Sequence, residues 1–231
     1  MRRIVEPEIL DHLDPNDPSA IQSRKDLRWL NRIMGHRSIL TRAIRNAVPD
    51  QSDADRPLKV VELGGGDGSL LLRLAKKGLF SRVDAQLVDR NPTISEERLR
   101  SFQNLGWSVE AISGEAFGWM EASEGGIDLI LTNLFFHHFE NRELERWFEL
   151  AASKTRAFIA CDPRRDRFAL IASHLVGLIG CNAVTRNDAV LSVRAGFSGN
   201  ELTQLWPHKE GWRLQERRAG MFSHLFVAVK E

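Results

Sequence analysis

Cysteine is scarce in this sequence, with only 2 among 231 residues, Cys161 and Cys181. The two lie too far apart to resemble the close cysteine pairs of metal sites, and each lies within an apolar run. We therefore expect two buried, reduced thiols and no disulfide framework. We also predict no metal site from the sequence.

Charge of one sign is not in excess either. The 32 Lys and Arg residues are nearly matched by 31 Asp and Glu residues, which leaves a net charge of +1. Nucleic-acid-binding domains usually carry a clear basic excess or a basic stripe. Short basic runs occur at residues 164–167 and 217–218, but such runs are typical of solvated faces. We therefore predict no nucleic-acid partner.

Apolar runs are short. The longest, residues 168–184, is interrupted by His174 and two glycines, whereas a helix that spans a bilayer needs about 20 mainly apolar residues. The chain opens with Met1-Arg2-Arg3 and a charged, proline-spaced segment, which is unlike the apolar core of a signal peptide. The sequence also shows no internal repeat. We therefore predict a cytoplasmic protein without a membrane span.

Glycine, by contrast, is concentrated between residues 64 and 68. The preceding run, residues 58–63, has the length and aliphatic composition of a buried strand, and apolar residues recur at helical spacing after the glycines. A strand, a glycine turn and a helix together open a nucleotide-binding α/β sheet. The next predicted strand ends at Asp89, about 20 residues beyond the turn, where a carboxylate can hold a ribose.

The spacing of these glycines differs from the dinucleotide fingerprint. From Gly64 onward it is G-x-G-x-G, and Ser69 stands where G-x-G-x-x-G requires its last glycine. Glu62 and Asp67 place negative charge beside the turn, where it would repel a pyrophosphate. The pattern therefore favours a cationic or amino-bearing ligand and disfavours a NAD(P)-dependent oxidoreductase.

Two segments carry a family resemblance, V-V-E-L-G-G-G-D-G at residues 60–68 and L-V-D-R-N-P at residues 87–92. They resemble the class I S-adenosylmethionine-dependent methyltransferases, and the resemblance extends over most of the chain from residue 58. The segment around the paired histidines at 137 and 138 is similar to the small-molecule branch that includes the ubiquinone and menaquinone methyltransferases. The resemblance implies a Rossmann-like α/β fold with a seven-stranded, mostly parallel sheet, an antiparallel final strand, helices on both faces and an N-terminal helical cap.

S-adenosyl-L-methionine is the cofactor that the resemblance implies. The cofactor-binding residues that it implies are Glu62, Gly64, Gly66, Gly68, Asp89, Arg90, Glu115, Ala116 and Asn133. Glu115 stands where the family usually has Asp, so the reach of its contact with adenine is altered.

His137 and His138 are the candidate catalytic residues. They follow the predicted fourth strand, at the sheet edge where ligands bind in this type of fold. Imidazole titrates near neutral pH and is therefore suited to take the proton of a phenol or enol. At most one of the two is expected to act as the base, and the alternative is that one packs against or caps the next helix.

The acceptor pocket is predicted to be largely apolar, which favours an aromatic, polyketide-like or isoprenoid-like molecule. The candidate pocket residues are Trp29, Phe135, Phe136, Asp162, His174 and Arg194. Each polar candidate and Trp29 has a structural alternative. These alternatives are core packing for Trp29, the start of a helix for Asp162, a satisfied core position for His174 within a long helix over residues 168–181, and a surface salt bridge for Arg194.

The chain is expected to divide into two parts. Residues 1–57 form a loose arm over 1–16, two capping helices and a polar linker over 49–57, and residues 58–231 form the methyltransferase domain. The predicted function is O-methylation of a small-molecule acceptor by in-line transfer. The alternatives are C- or N-methylation on the same fold, an oxidoreductase, and a non-catalytic protein that binds the cofactor and a partner. The sequence leaves a homodimer open.

Overall fold

The computed structural model describes residues 1–48, 56–207 and 209–231, which fold around a seven-stranded sheet. The strands are β1 (Leu58–Leu63), β2 (Val83–Asp89), β3 (Trp107–Ser113), β4 (Ile127–Asn133), β5 (Thr155–Pro163), β6 (Trp212–Ala219) and β7 (Ser223–Lys230). Their order is β3-β2-β1-β4-β5-β7-β6. The first five pair in parallel, and β7 is antiparallel to both β5 and β6. The predicted Rossmann-like sheet with an antiparallel finish is confirmed.

Nine α-helices accompany the sheet in the described part of the chain. They are α1 (Pro18–Ile33), α2 (His36–Ala47), α3 (Ser69–Ala75), α4 (Glu96–Gln103), α5 (Ala116–Ala122), α6 (Asn141–Lys154), α7 (Arg167–His174), α8 (Ala183–Ala195) and α9 (Glu201–Leu205). The start of α1 follows the sequence signal, since the Asp17 carboxylate accepts a hydrogen bond from the Ser19 amide and Pro18 takes the first helical position. No described helix is long and apolar enough to cross a membrane.

Two apolar cores form on opposite faces of the sheet, because side chains alternate along each strand. On β1, Val60 packs into the core beneath α2 and α3, and Val61 packs into the core beneath α5 and α6. Helix α2, which the sequence assigns to the cap, is part of the first core, with Leu40 and Ile44 buried. The carboxyl ends of the parallel strands therefore lie together at one edge of the sheet, between the helical layer that contains α2 and the layer that contains α6.

The polar linker predicted over 49–57 falls mainly outside the described residues. Of its described part, Arg56 forms a two-pronged ion pair with Asp128, with distances of 2.6 and 2.7 Å between guanidinium nitrogens and carboxylate oxygens. The Asp128 carboxylate also accepts the Lys59 amide at 2.9 Å. This contact attaches the start of β1 to β4 at the edge opposite the predicted site.

The prediction of one long apolar helix over residues 168–181 is wrong. Helix α7 ends at His174, a 3-10 turn covers Val176–Ile179, and Gly180 has a φ of 90°. A left-handed residue of this kind ends a helix and is accessible chiefly to glycine. The two cysteines are both buried and unpaired, as expected.

Phe136 packs in the core and not in a pocket, which corrects its assignment to the acceptor site. Its ring is fully buried and has centroid distances of 5.7 Å to Trp147 and 5.6 Å to both Phe148 and Phe158. Aromatic rings at such distances stabilise a core beyond the area they bury. Phe136 therefore fixes the loop after β4 to helix α6.

We expect Phe136→Ala to destabilise the protein by about 3–5 kcal/mol, because it leaves a cavity among aromatic rings. Phe168→Ala is the matched control, since Phe168 is 52% exposed and should cost less than about 1 kcal/mol. Urea unfolding followed by tryptophan fluorescence measures both. Equal losses in the two variants would contradict the core assignment of Phe136.

Candidate functional site

The turn between β1 and α3 lies at the carboxyl edge of the sheet and is shaped by three glycines. Gly64, Gly66 and Gly68 have φ values of 71°, 54° and 69°, which residues with side chains adopt only at a cost. Asp89, at the end of β2, accepts the Gly66 amide at 2.9 Å and the Asn91 amide at 2.8 Å. The carboxylate expected to hold a ribose thus lies directly beside the turn.

Phe135 covers the first glycine of the turn. A side-chain methyl placed at Gly64 would lie 2.7 Å from the Phe135 ring, so the loop after β4 needs glycine at this position. Asn133, at the end of β4, is half-buried, and its side-chain oxygen has no hydrogen-bond partner among the described residues. The end of β4 and the glycine turn therefore form one continuous surface.

Glu62 lies beneath this surface and is 3% exposed. Its Oε2 atom has no hydrogen-bond partner in the described part of the chain. Burial, reinforced by the negative charges of Asp67 and Asp89, raises the pKa of Glu62 to about 8. A buried carboxyl group in acidic surroundings suits a cationic ligand, because a positive charge would stabilise its ionised form.

Three further predicted cofactor contacts take local roles. Arg90 is exposed and lies 3.4 Å from the carboxylate of Asp11. Glu115 caps helix α5, since its Oε2 accepts the Gly118 amide at 2.8 Å. Ala116 begins α5 and packs into the core beneath α5 and α6. One Glu115 oxygen is therefore committed to the helix, and the side chain of Ala116 faces away from the edge.

The arm over residues 1–16 is not loose, which corrects the sequence expectation. The Arg3 guanidinium donates to the carbonyl oxygens of Phe139 and Ala195, both at 2.7 Å. The amides of Ile9 and Leu10 donate to the Asp188 carboxylate at 2.9 and 3.0 Å. These partners lie far from the arm in sequence, so no local pattern in the sequence indicates the contacts. The arm therefore crosses the carboxyl edge between α8 and the loop after β4.

His137 connects this arm to the sheet. Its Nδ1 lies 2.9 Å from Asp162 and its Nε2 lies 3.3 Å from Glu8, and all three side chains are buried. Burial alone would lower the pKa of His137, but hydrogen bonds to the two carboxylates raise it to about 9. The imidazole is therefore charged at neutral pH with both nitrogens engaged. It therefore takes a structural role, which the sequence had left open as the alternative for one histidine of the pair.

His138 occupies a more open position. Its ring lies against the ring of His137, with a centroid distance of 4.1 Å, and its Nδ1 lies 3.4 Å from an oxygen of Asp11. Burial and the positive charge of His137 lower the pKa of His138. The half-buried imidazole is therefore neutral at neutral pH, and it is the histidine of the pair that retains the properties of a base.

The remaining pocket candidates divide between the edge and the surface. Asp162 lies in β5, fully buried, and does not begin a helix. Trp29 is 39% exposed on α1, and His174 is exposed at the end of α7, so it is not a core histidine. Arg194 lies in the last turn of α8, and its carbonyl oxygen accepts the Ile4 amide at 3.2 Å. Phe135 and Asp162 are thus the candidates that lie with the histidines.

Sequence reasoning missed Glu8 and Asp11, which lie near this edge. Glu8 and Asp11 belong to the arm that was expected to be loose, and the density of acidic residues there was the available signal. His36 is fully buried, with its Nε2 2.9 Å from the Ser223 hydroxyl. Burial lowers the pKa of His36 to about 4, so its ring is neutral.

The comparison with protein families identifies a domain within the chain. Residues 60–157 match the family described as "Methyltransferase domain". Residues 60–157 therefore form a methyltransferase domain, and the chain is similar in fold to methyltransferases solved with SAH. The matched residues include the glycine turn, Asp89 and both histidines, whereas the arm with Glu8 and the end of β5 with Asp162 lie outside them.

Solved structures share the fold of this methyltransferase. The plantazolicin methyltransferase BpumL in complex with SAH is 16% identical, with a TM-score of 0.62 over 94% of this chain and 92% of that one. The mitomycin 7-O-methyltransferase MmcR is 21% identical, with a TM-score of 0.55 over 96% of this chain and 60% of that one. An O-methyltransferase family protein from Burkholderia thailandensis is 19% identical, with a TM-score of 0.52 over 76% and 52%. Among curated proteins, no sequence relative matches the chain.

We expect the affinity of the methyltransferase for S-adenosylmethionine to rise with pH between about 6 and 7.5. Glu62, with a pKa of about 8, is protonated there in the free protein, and a cationic ligand binds better once that proton leaves. Release of one proton steepens binding by at most about tenfold per pH unit.

Calorimetry across this pH range measures the effect, and Glu62→Gln provides the control. The variant has no proton to release, so only the ligand's own titration should remain in its profile. Identical slopes for the wild type and Glu62→Gln would contradict a role for this carboxyl group in cation binding.

Proposed function

We propose that this methyltransferase transfers a methyl group to an oxygen atom of a small, largely apolar acceptor. The observation that carries the proposal is the acidic, glycine-lined edge, where buried Glu62 lies unpartnered among the described residues beside Asp89. Such an edge suits a cation and is poorly suited to a diphosphate. The fold shared with an enzyme described as a 7-O-methyltransferase supports the choice of oxygen.

The cofactor-binding residues in this proposal surround the glycine turn. Gly64, Gly66 and Gly68 allow close approach of the backbone, and Glu62 and Asp89 supply negative charge and hydrogen-bond acceptors. The set is completed by Arg90, Glu115, the backbone of Ala116 and Asn133. When bound, S-adenosylmethionine supplies a methyl group on a positively charged sulfonium. The protein then has to hold the acceptor in line with that group and exclude water.

The acceptor side of the site is built from the loop after β4. The half-buried ring of Phe135 lies against Phe139, with a centroid distance of 5.1 Å, and offers an apolar surface beside the glycine turn. Asp11 orients the imidazole of His138 at this edge. In the proposal, His138 promotes loss of the proton from the acceptor hydroxyl, and the arm over residues 1–16 closes the edge over the acceptor.

Matched acceptors test the choice of atom. The purified full chain is incubated with S-adenosylmethionine carrying a labelled methyl group and with pairs of aromatic compounds that differ only in hydroxyl or amine. We expect label on the hydroxyl compounds and little on the amines. Transfer to amines alone would replace the proposal with N-methylation, and binding of a nicotinamide dinucleotide without binding of S-adenosylhomocysteine would overturn it entirely.

A second test concerns the cofactor contacts. We expect Asp89→Ala to weaken binding of S-adenosylhomocysteine by about 10- to 100-fold, because hydrogen bonds to a charged group contribute about 1.5–3 kcal/mol. Asp84→Ala is the matched control, since Asp84 lies exposed on the same strand. Calorimetry measures both affinities. Wild-type affinity in Asp89→Ala would remove this carboxylate from the site.

A further inference from the structure

Three side chains at the carboxyl edge place metal-ligating atoms close together. Glu8, His137 and His138 each offer one such atom, and these atoms all lie within 4.8 Å of one another. Glu8 comes from the arm, and the histidines come from the loop after β4. Two histidines and one carboxylate form a ligand set that divalent transition metals such as Zn²⁺ and Fe²⁺ use in proteins.

The orientation of both imidazole rings also supports a metal site. The Nδ1 atom of His137 lies 2.9 Å from Asp162, and the Nδ1 atom of His138 lies 3.4 Å from Asp11. Histidines that bind a metal through one nitrogen almost always direct the other nitrogen at a carboxylate, carbonyl or water. Both rings thus have a carboxylate at Nδ1, which leaves each Nε2 as the nitrogen for a metal.

The distance between donors also fits. Nε2 of His137 and Oε1 of Glu8 are 3.3 Å apart. Two ligands bound about 2.0–2.1 Å from a tetrahedral Zn²⁺ ion lie about 3.3 Å from one another. The hydroxyl of Ser192 also donates to Oε1 of Glu8 and fixes the position of this oxygen.

Charge balance gives an independent reason. Glu8 and Asp162 are 9% and 0% exposed, and buried carboxylates are costly unless positive charge compensates them. A divalent ion bound between Glu8 and His137 would supply positive charge beside both carboxylates.

We propose that Glu8, His137 and His138 bind one divalent transition-metal ion of the Zn²⁺ class, with Asp162 and Asp11 positioning the two imidazoles. The ion fastens the N-terminal arm to the sheet edge and keeps a fourth coordination position for water or an acceptor oxygen. This second role rests on the proposed function. With the ion bound, the metal takes over from His138 the task of promoting loss of the acceptor proton.

Metal binding by the full chain tests the site directly. The purified protein is stripped with a chelator, dialysed and titrated with Co²⁺, whose visible absorption reports coordination, and then with Zn²⁺ in competition. We expect one ion per chain, displacement of Co²⁺ by Zn²⁺, and a higher melting temperature with either ion. The absence of saturable binding would overturn the proposal.

Variants locate the ion. We expect Glu8→Gln and His138→Ala to lose the Co²⁺ absorption, and Asp11→Asn to weaken binding by about 10- to 100-fold as a positioning residue. Glu6→Gln and His174→Ala are the matched controls, because both side chains are exposed and outside the cluster. Wild-type binding by Glu8→Gln and His138→Ala would place the ion elsewhere and overturn the site.

Calorimetry with S-adenosylhomocysteine separates this proposal from the proposed function. A variant that no longer binds the metal but still binds this ligand is folded. Its loss of metal binding can then be attributed to the substituted residue. Ligand binding without any metal site would leave the methyltransferase proposal standing and remove the metal. Metal binding without binding of S-adenosylhomocysteine would support the metal site and contradict the proposed function.

Discussion

The charged imidazole of His137 is the contact on which the carboxyl edge depends. It lies between Glu8 of the N-terminal arm and Asp162 of β5, and all three groups are buried. Removing any one of them would leave a buried charge without its partner, which proteins tolerate poorly. Because the Asp162 carboxylate also accepts the amides of Phe135 and His137, the same contact fixes the course of the loop after β4. The arm and the loop are therefore held by one interaction.

The electrostatics differ at the glycine turn, on the side of the edge that is proposed to bind the cofactor. Glu62, Asp67 and Asp89 are all acidic and lie around a glycine turn, where Asp67 forms ion pairs with Arg28 and Arg98 at 3.5 and 3.3 Å. The burial of Glu62 and the negative charges of Asp67 and Asp89 raise the pKa of Glu62. Glu62 is therefore protonated in the free protein at neutral pH, and binding of a cation would favour its ionised form. Phe135 lies at the boundary, in contact with the glycine turn on one side and with the aromatic core on the other. In the proposed function, the acceptor side and the cofactor side of the site meet at this ring.

The success of sequence reasoning varied with the range of the interactions involved. The turn at Gly64–Gly68 and the position of Asp89 were predictable, because a strand, a turn and the next strand lie within about 30 residues of one another in such units. The different environments of Phe135 and Phe136 were not predictable from composition. Adjacent aromatic residues look alike in sequence, yet one ring lies over the glycine turn and the other is enclosed by Trp147 and its neighbours. His174 was misplaced because an apolar run does not reveal that its helix ends early and lies at the surface.

The sequence by itself determined the class of sheet, its glycine turn and the acidic character of the cofactor edge. These features depend on local periodicity and on residues close together in the chain, where propensity and spacing are informative. Only the tertiary structure decided that an irregular arm crosses the carboxyl edge, that Glu8 and Asp162 meet at one imidazole, and that the pKa values of His137 and His138 shift in opposite directions. Those properties arise from burial and from partners more than a hundred residues apart, such as Glu8 and His137, and no local pattern encodes them.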